Sequence, residues 1–286
     1  MGARRRHPYA VLDVFTSTPL EGNGLAVVHD ADGLDEQLML AFARETRLSE
    51  TCFVQSPSTA EADYRNRIWT VKGELPFAGH PSLGVAFAVA AARGEKEITY
   101  VQQTGAGLQP VDVRSEGENG FASMLQEPPV FGDEVDARHV LAAIGLVPGD
   151  GHRELPPQVV STGIDTLIAP VSDARCVVDA KPDFELVEAL ADRTGATNLY
   201  VVCLEGEGKA RARMFTTFVE GGEDPATGSA AGPLCAYLDA RGRGSRVEIS
   251  QGVEMGRPSR LVAEMEGDRP RVEGGVVRVV VGEVLF

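Results

Sequence analysis

Two glycine-marked segments and one glutamate hold the residues best suited to chemistry in this sequence. Leu75-Pro76-Phe77-Ala78-Gly79-His80-Pro81 and Glu223-Asp224-Pro225-Ala226-Thr227-Gly228-Ser229 each lead into a run of small apolar residues. The first turn of a helix leaves N–H groups unpaired and pointing outward, so such a start attracts an anion, with a dipole contribution of about 0.3 to 1 kcal/mol. Glycine at Gly79 and Gly228 lets a ligand approach the backbone closely. If the two halves of the chain face each other, both starts serve one small carboxylate-bearing substrate. On the motifs alone the plainer alternative stays open, that each is a capped helix start packed into a core.

Glu50 lies in Leu48-Ser49-Glu50-Thr51, where a helical stretch gives way to a β-rich one. A glutamate ending a helix is commonly a solvated surface residue. One that starts a strand stands instead on a rigid edge, from which its carboxyl can project into a cleft. Partly desolvated there, it would have a raised pKa and could take and return a proton near neutral pH. His80 sits inside one helix start, whose positive end disfavours its protonation and leaves a neutral imidazole to donate or accept. Asp224 precedes the other start, where an ordinary N-cap is the competing explanation.

The elements that must position these groups follow from periodicity and punctuation. Strands are expected at Tyr9 to Phe15, Leu25 to Val28, Thr51 to Val54, Arg67 to Val71, Ile98 to Val101, Gln109 to Val113 and Phe121 to Leu125. A helix fits Asp35 to Arg47, and a buried one runs from the first glycine-marked segment to near Arg93. Pro128 and Pro129 mark a candidate boundary, giving halves of 1–127 and 128–286, with the last strand allowed to return to the first half. The second half reads as helices at Ala137 to Ile144 and Phe184 to Arg193, with a third from the second glycine-marked segment to about Arg241. Its strands are Gln158 to Val160, Thr166 to Pro170, Thr197 to Leu204, Arg211 to Phe218, Val247 to Gln251, Arg260 to Met265 and Val276 to Val281. The order suggests a duplicated α+β unit with a small-residue helix at the centre of each copy. The copies have diverged too far to align residue by residue.

The bulk numbers exclude several classes of function. Across 286 residues, 43% hydrophobic and 24% charged is an ordinary globular balance. Twenty-seven basic against 42 acidic residues give a net charge of −15, which repels a phosphate backbone or an anionic membrane, so no nucleic-acid or membrane partner is expected. Cys52, Cys176, Cys203 and Cys235 show no CxxC pair, and the five histidines show no ligand spacing, so neither a metal nor another cofactor is expected. Met1 to Pro8 has an arginine triplet with no apolar stretch behind it and reads as a frayed tail rather than a signal. The longest apolar run, Leu83 to Ala92, is too short to cross a bilayer, and a cytoplasmic location is expected.

Taken together, the motifs resemble the PhzF family, the phenazine-biosynthesis isomerases and relatives that share the diaminopimelate epimerase fold. The resemblance is carried by Asp13-Val14-Phe15-Thr16 with Glu21-Gly22-Asn23, by Leu48 to Thr51, and by Gly73 to Pro81. It continues through Ser161-Thr162-Gly163, Glu223 to Leu234 and Gln251 to Pro258, in order over nearly the whole chain. It implies two similar halves, each a β-barrel-like sheet around a central helix, with the active site in the cleft between them and a homodimer as the usual assembly. It assigns Glu50 as the acid/base, His80, Asp224 and Ser229 as groups lining the site, and Gly79 and Gly228 as backbone anchors for substrate. Departures are Gly24, where proline is common, Cys52 in place of a hydroxyl residue, and Thr216-Thr217-Phe218.

The reaction implied is isomerisation of trans-2,3-dihydro-3-hydroxyanthranilate in antibiotic biosynthesis. Glu50 would move the C3 proton within the ring while His80 and Asp224 steady the amine and hydroxyl. The epimerase relatives carry two cysteines at the helix starts, and neither motif here has one, which disfavours a two-thiol mechanism. The competing readings are an epimerase or racemase of an amino acid derivative, a non-catalytic binding protein of the same fold, and a thiol nucleophile at Cys52.

Overall fold

The computed structural model describes residues 5–219 and 221–286. In chain order the first elements are β1 (Arg6–Val14), β2 (Asn23–Val28), α1 (Glu36–Thr46), β3 (Glu50–Gln55), β4 (Tyr64–Trp69) and the two-residue β5 (Glu74–Leu75). They are followed by α2 (Gly79–Arg93), β6 (Glu97–Thr104), β7 (Gly107–Glu116) and β8 (Asn119–Leu125). β1 pairs antiparallel with β2, β2 runs parallel to β3 through the α1 crossover, and β3 is antiparallel to β4. β4 is parallel to β6, and antiparallel ladders lead on to β7 and β8. The closing strand, Arg269–Leu285, pairs with β1 on one side and β8 on the other, which completes a ring. A closed ring leaves no unpaired sheet edge.

α2 is the axle of this ring. Gly79 through Ala90 are all buried, a helix that is apolar on every side because sheet surrounds it. A side chain at Gly84 would place its Cβ 2.5 Å from Leu25 and 2.9 Å from Val14, so only glycine lets the helix sit this close to β1 and β2. α1 packs outside the ring, with Met39, Ala43, Phe53 and Trp69 forming the small core beneath it.

The second half repeats the plan with β9 (Val130–Glu134), α3 (Ala137–Ala143), β10 (Gln158–Ser161), β11 (Asp165–Pro170), α4 (Ala174–Asp179) and α5 (Phe184–Thr194). Next come β12 (Asn198–Gly206), β13 (Lys209–Phe215), β14 (Glu223–Asp224), α6 (Gly228–Asp239), β15 (Arg246–Gln251), β16 (Ser259–Glu266) and β17, the closing strand already described. β11 is parallel to β12 and β13 to β15, matching the parallel pairs of the first half, and the remaining ladders are antiparallel. α6 is the buried central helix here, and α3, α4 and α5 cover the outer face over Val140, Leu141, Val177, Leu190, Val201 and Phe215. The chain is thus α+β, two similar halves each built as a sheet wrapped around one helix. Its two compact units comprise residues up to Met124 together with Glu273–Phe286, and Leu125–Val272.

Several sequence expectations need correction. Residues 5–8 are not a frayed tail: β1 starts at Arg6, Arg5 and Phe286 exchange backbone hydrogen bonds at 2.9 and 3.1 Å, and His7 is buried. The strand expected at Arg67 to Val71 is Tyr64–Trp69, because Thr70 through Gly73 form a turn closed by Thr70. The strand expected to reach Phe218 ends at Phe215 for the same reason, with the Thr216 N–H bonded to the Gly222 carbonyl. β5, β9, α4 and β14 have no counterpart in the elements expected from the sequence, and the final strand is far longer than Val276 to Val281. Among the described residues, no helix is long and apolar enough to cross a membrane.

Candidate active site

α1 ends at Arg47 in a left-handed conformation (φ 53°), and three residues later the chain enters β3 at Glu50. The Thr46 and Thr51 hydroxyls, 2.7 Å apart, pin this junction. Side chains alternate along a strand, and Phe53 packs beneath α1, so Glu50 and Cys52 share the opposite face. The Glu50 side chain is only 10% exposed, and its Oε2 lies 3.2 Å from His80 Nε2. The pair is not aligned as a closed hydrogen bond. Acid/base groups commonly tighten only when substrate arrives.

His80 is the second residue of α2. Burial drives its pKa down to about 3, and a hydrogen bond that the ring donates to the Gly24 carbonyl opposes this only in part. The ring is therefore neutral at physiological pH, with one N–H and one lone pair, so its contact with Glu50 is not an ion pair. Asn23, fully buried at the start of β2, places its Nδ2 3.3 Å from His80 Nδ1 and fixes the ring from the other side. The sequence gives Asn23 no role of its own, because Gly22-Asn23-Gly24 reads only as a turn.

Cys52 lies one strand repeat beyond Glu50. Burial, and then the Glu50 charge, push its thiol well above the usual range, which keeps it protonated and argues against a nucleophilic role. Among the described residues, no group of three or more His, Cys, Asp or Glu side chains is placed to hold a metal ion.

In the second unit, Asp224 closes β14 and is buried. It is not the N-cap of α6; that position is Thr227, whose hydroxyl donates to Asp224 Oδ2 at 2.6 Å instead of capping the helix. Gln251 then bridges, its Nε2 donating to the Asp224 carbonyl at 2.8 Å and to Thr227 Oγ1 at 2.9 Å. Gly228, the first residue of α6, is buried, and Ser229 beside it is half-buried. Gln126 donates to the Gly228 carbonyl at 2.9 Å and accepts from Thr162 at 2.6 Å, which holds the helix start from behind.

Among the described residues, the six α-helices fall into two groups. α1, α3, α4 and α5 each begin with an aspartate, Asp35, Asp136, Asp173 and Asp183, whose carboxylate accepts from the first-turn N–H groups. α2 and α6 begin at Gly79 and Gly228 and have no side-chain cap. Among the described residues, the two central helices are thus the ones whose first turns carry no capping side chain.

A matched brace precedes each of these two starts. On β4, Arg67 makes a two-pronged bond to Glu74 of β5 (Nε and Nη2, both 2.6 Å) and lies over the Trp69 ring. On β13, Arg213 makes the same bond to Glu223 of β14 (2.8 and 2.9 Å) and lies over the Phe215 ring. Each glutamate stands five residues before its helix-start glycine, so the halves do align here residue by residue. The readable signal was the repeated arginine-x-aromatic-threonine followed by Gly-Glu-x-Pro-x-x-Gly, interrupted by turns of unequal length.

Comparison with known proteins agrees over nearly the whole chain. A family model described as "Phenazine biosynthesis-like protein" (PhzC-PhzF) matches residues 12–282. The chain is 39% identical over 272 residues to a trans-2,3-dihydro-3-hydroxyanthranilate isomerase of Pseudomonas aeruginosa, covering 93% of each chain. Among solved structures it is similar to a predicted epimerase from Pseudomonas aeruginosa, with 36% identity, a TM-score of 0.85 and coverage of 97% and 99%. It is also similar to a Bacillus anthracis phenazine biosynthesis protein of the PhzF family, with 29% identity, a TM-score of 0.86 and coverage of 99% and 100%. The chain belongs to the PhzC-PhzF family of phenazine biosynthesis-like proteins, as an isomerase.

Proposed function

We propose that this protein isomerises trans-2,3-dihydro-3-hydroxyanthranilate without a cofactor, with Glu50 carrying the proton. The observation behind the reading is a buried carboxyl held 3.2 Å from an imidazole that burial keeps neutral. Glu50 as carboxylate removes the C3 proton, the ring electrons shift, and the resulting acid returns that proton elsewhere on the ring. No atom is gained or lost, and the product is an aminoketone. A neutral His80 suits this, because a charged imidazolium beside Glu50 would stabilise the carboxylate and weaken it as a base.

In the second unit, Asp224 and Ser229 are proposed as polar partners of substrate, and in each unit the N–H groups at the helix start, Gly79 or Gly228, as partners of a carboxylate. The uncapped starts of α2 and α6 support that assignment. We further infer a homodimer, checked by light scattering on the purified chain, and a cytoplasmic location, for which four free, buried thiols suit a reducing compartment.

The test is the ultraviolet change of dihydrohydroxyanthranilate on mixing with enzyme, followed by mass spectrometry of product formed in deuterated water. Glu50→Gln keeps the shape and removes the base, so turnover should fall by roughly 10²- to 10⁴-fold, the usual worth of a positioned acid/base. Full turnover in Glu50→Gln would falsify the mechanism. A change in optical rotation with an unchanged ultraviolet spectrum would instead indicate an epimerase.

A further inference from the structure

Gln251 lies at the end of β15, is 1% exposed, and uses its whole amide. Its Nε2 donates to the Asp224 carbonyl and to Thr227 Oγ1, while its Oε1 accepts from the Tyr200 hydroxyl at 2.9 Å and from the Thr227 N–H at 3.3 Å. Rotating the amide by half a turn would set oxygen against the Asp224 carbonyl and an N–H against the Thr227 N–H. The orientation is therefore forced by chemistry. Having accepted from Gln251, Thr227 Oγ1 has one hydrogen left, and the 2.6 Å bond sends it to Asp224 Oδ2. A distance of that size is typical of a hydroxyl donating to an ionised carboxylate. The same arrangement turns the Thr227 oxygen away from the first-turn N–H groups of α6; Ala230 and Ala231 bond to the Thr227 carbonyl instead.

We propose that Tyr200, Gln251 and Thr227 are positioning residues that fix which way hydrogens point around Asp224 and, by turning the Thr227 hydroxyl to Asp224, keep the α6 start uncapped for the substrate. The proposal rests on the role given to Asp224 and Gly228 in the preceding section. The first half has no counterpart, since Ala78, which precedes α2, has no hydroxyl to direct. Fixed donors and acceptors that need not reorganise during reaction are what an enzyme contributes when charge shifts on a bound molecule.

The experiment measures turnover of dihydrohydroxyanthranilate by Thr227→Val, Thr227→Ser, Tyr200→Phe and Glu50→Gln, with circular dichroism and thermal melts of each. Thr227→Val is isosteric but neither donates to Asp224 nor accepts from Gln251. Its kcat should fall by roughly 10- to 100-fold, the worth of one hydrogen bond to a charged group. The melting temperature should stay close to that of the parent, and KM should change much less than kcat. Thr227→Ser should recover most of the loss, which a packing role for the methyl group would not allow. Tyr200→Phe, cut at the far end of the chain of bonds, should lower kcat several-fold in the same direction, and it keeps the idea testable if Thr227→Val does not fold. Full kcat in a folded Thr227→Val, equal losses in the valine and serine variants, or a kcat that falls only in step with the folded fraction would each overturn it. If Glu50→Gln is inactive while Thr227→Val is fully active, the positioning role alone fails; if Glu50→Gln is active, the proposed function fails first.

Discussion

Mild acid should destabilise this protein through His80. A histidine in an unfolded chain titrates near 6.5, whereas burial holds the His80 ring neutral down to about 3. With the folded value the lower of the two, the unfolded state takes up the proton first. The stabilisation from burying the neutral ring is complete above about pH 6.5 and is lost as pH falls through the window toward 3. Each unit is worth about 1.4 kcal/mol, so about 2 kcal/mol should be gone by about pH 5, and about 5 kcal/mol is the ceiling for the whole window. Against a typical total of roughly 5 to 15 kcal/mol, that is a large share. The assay is urea unfolding at about pH 7.5, 6 and 5, comparing the parent with His80→Asn. His29 and His152, whose pKa values burial also lowers, are present in both proteins and cancel in the comparison. The parent should lose stability more steeply, and the gap between the two curves should shrink as the acid deepens. Parallel curves would show that the ring is not held neutral and would remove the electrostatic premise for Glu50 as base.

Three further outcomes can be checked directly. Gly232→Ala would set a Cβ 1.9 Å from Gln126 Oε1, so Gln126 must let go of Thr162 and of the Gly228 carbonyl. A loss of about 1 to 3 kcal/mol by denaturant titration and a raised KM are expected, and an unchanged KM would mean that Gln126 does not steady the helix start. Arg213→Lys keeps the charge but not the fork to Glu223 or the bond to the Ala180 carbonyl, and should cost about 2 to 4 kcal/mol, read as a lower melting temperature. All four cysteines are free and buried, with Cys203 pushed up to about 11 and Cys235 to about 12, so Ellman's reagent should titrate almost none in the native protein and all four in urea. Rapid native labelling of Cys52 would contradict the burial assigned to it.

Periodicity revealed the two central helices because Leu83 to Ala90 and Ala230 to Leu238 are apolar on every side, a pattern that only a surrounding sheet explains. It also set Glu50 at a helix-to-strand junction, since the β-branched and aromatic run from Thr51 starts immediately after it. What it missed came from tertiary contacts. β5 and β14 are two residues long, too short to carry a periodicity, and each is tied to its neighbouring strand by the Arg67–Glu74 or Arg213–Glu223 fork as well as by backbone pairing. β9 is exposed along its whole length and has no alternation to read. Asn23 and Gln251 are ordinary amides in the sequence; their roles follow from His80 and Thr227, which stand 57 and 24 residues away. Arg4 to Arg6 suggest a solvated tail in the sequence, whereas from Arg6 the strand is anchored by pairing with β17.

That last pairing has a consequence for how the protein is made. The ring around α2 lacks one stave until Arg269–Leu285 has left the ribosome, although β1 through β8 emerge first. The interposed unit, Leu125–Val272, is continuous in sequence and can complete itself during synthesis. The half containing Glu50 and His80 meanwhile waits with β1 and β8 as open edges, the state most prone to pairing with a neighbouring chain. Chaperone demand should therefore persist until that strand has been made, and a substitution that weakens β17 would be felt at β1, the first strand of the ring to be synthesised.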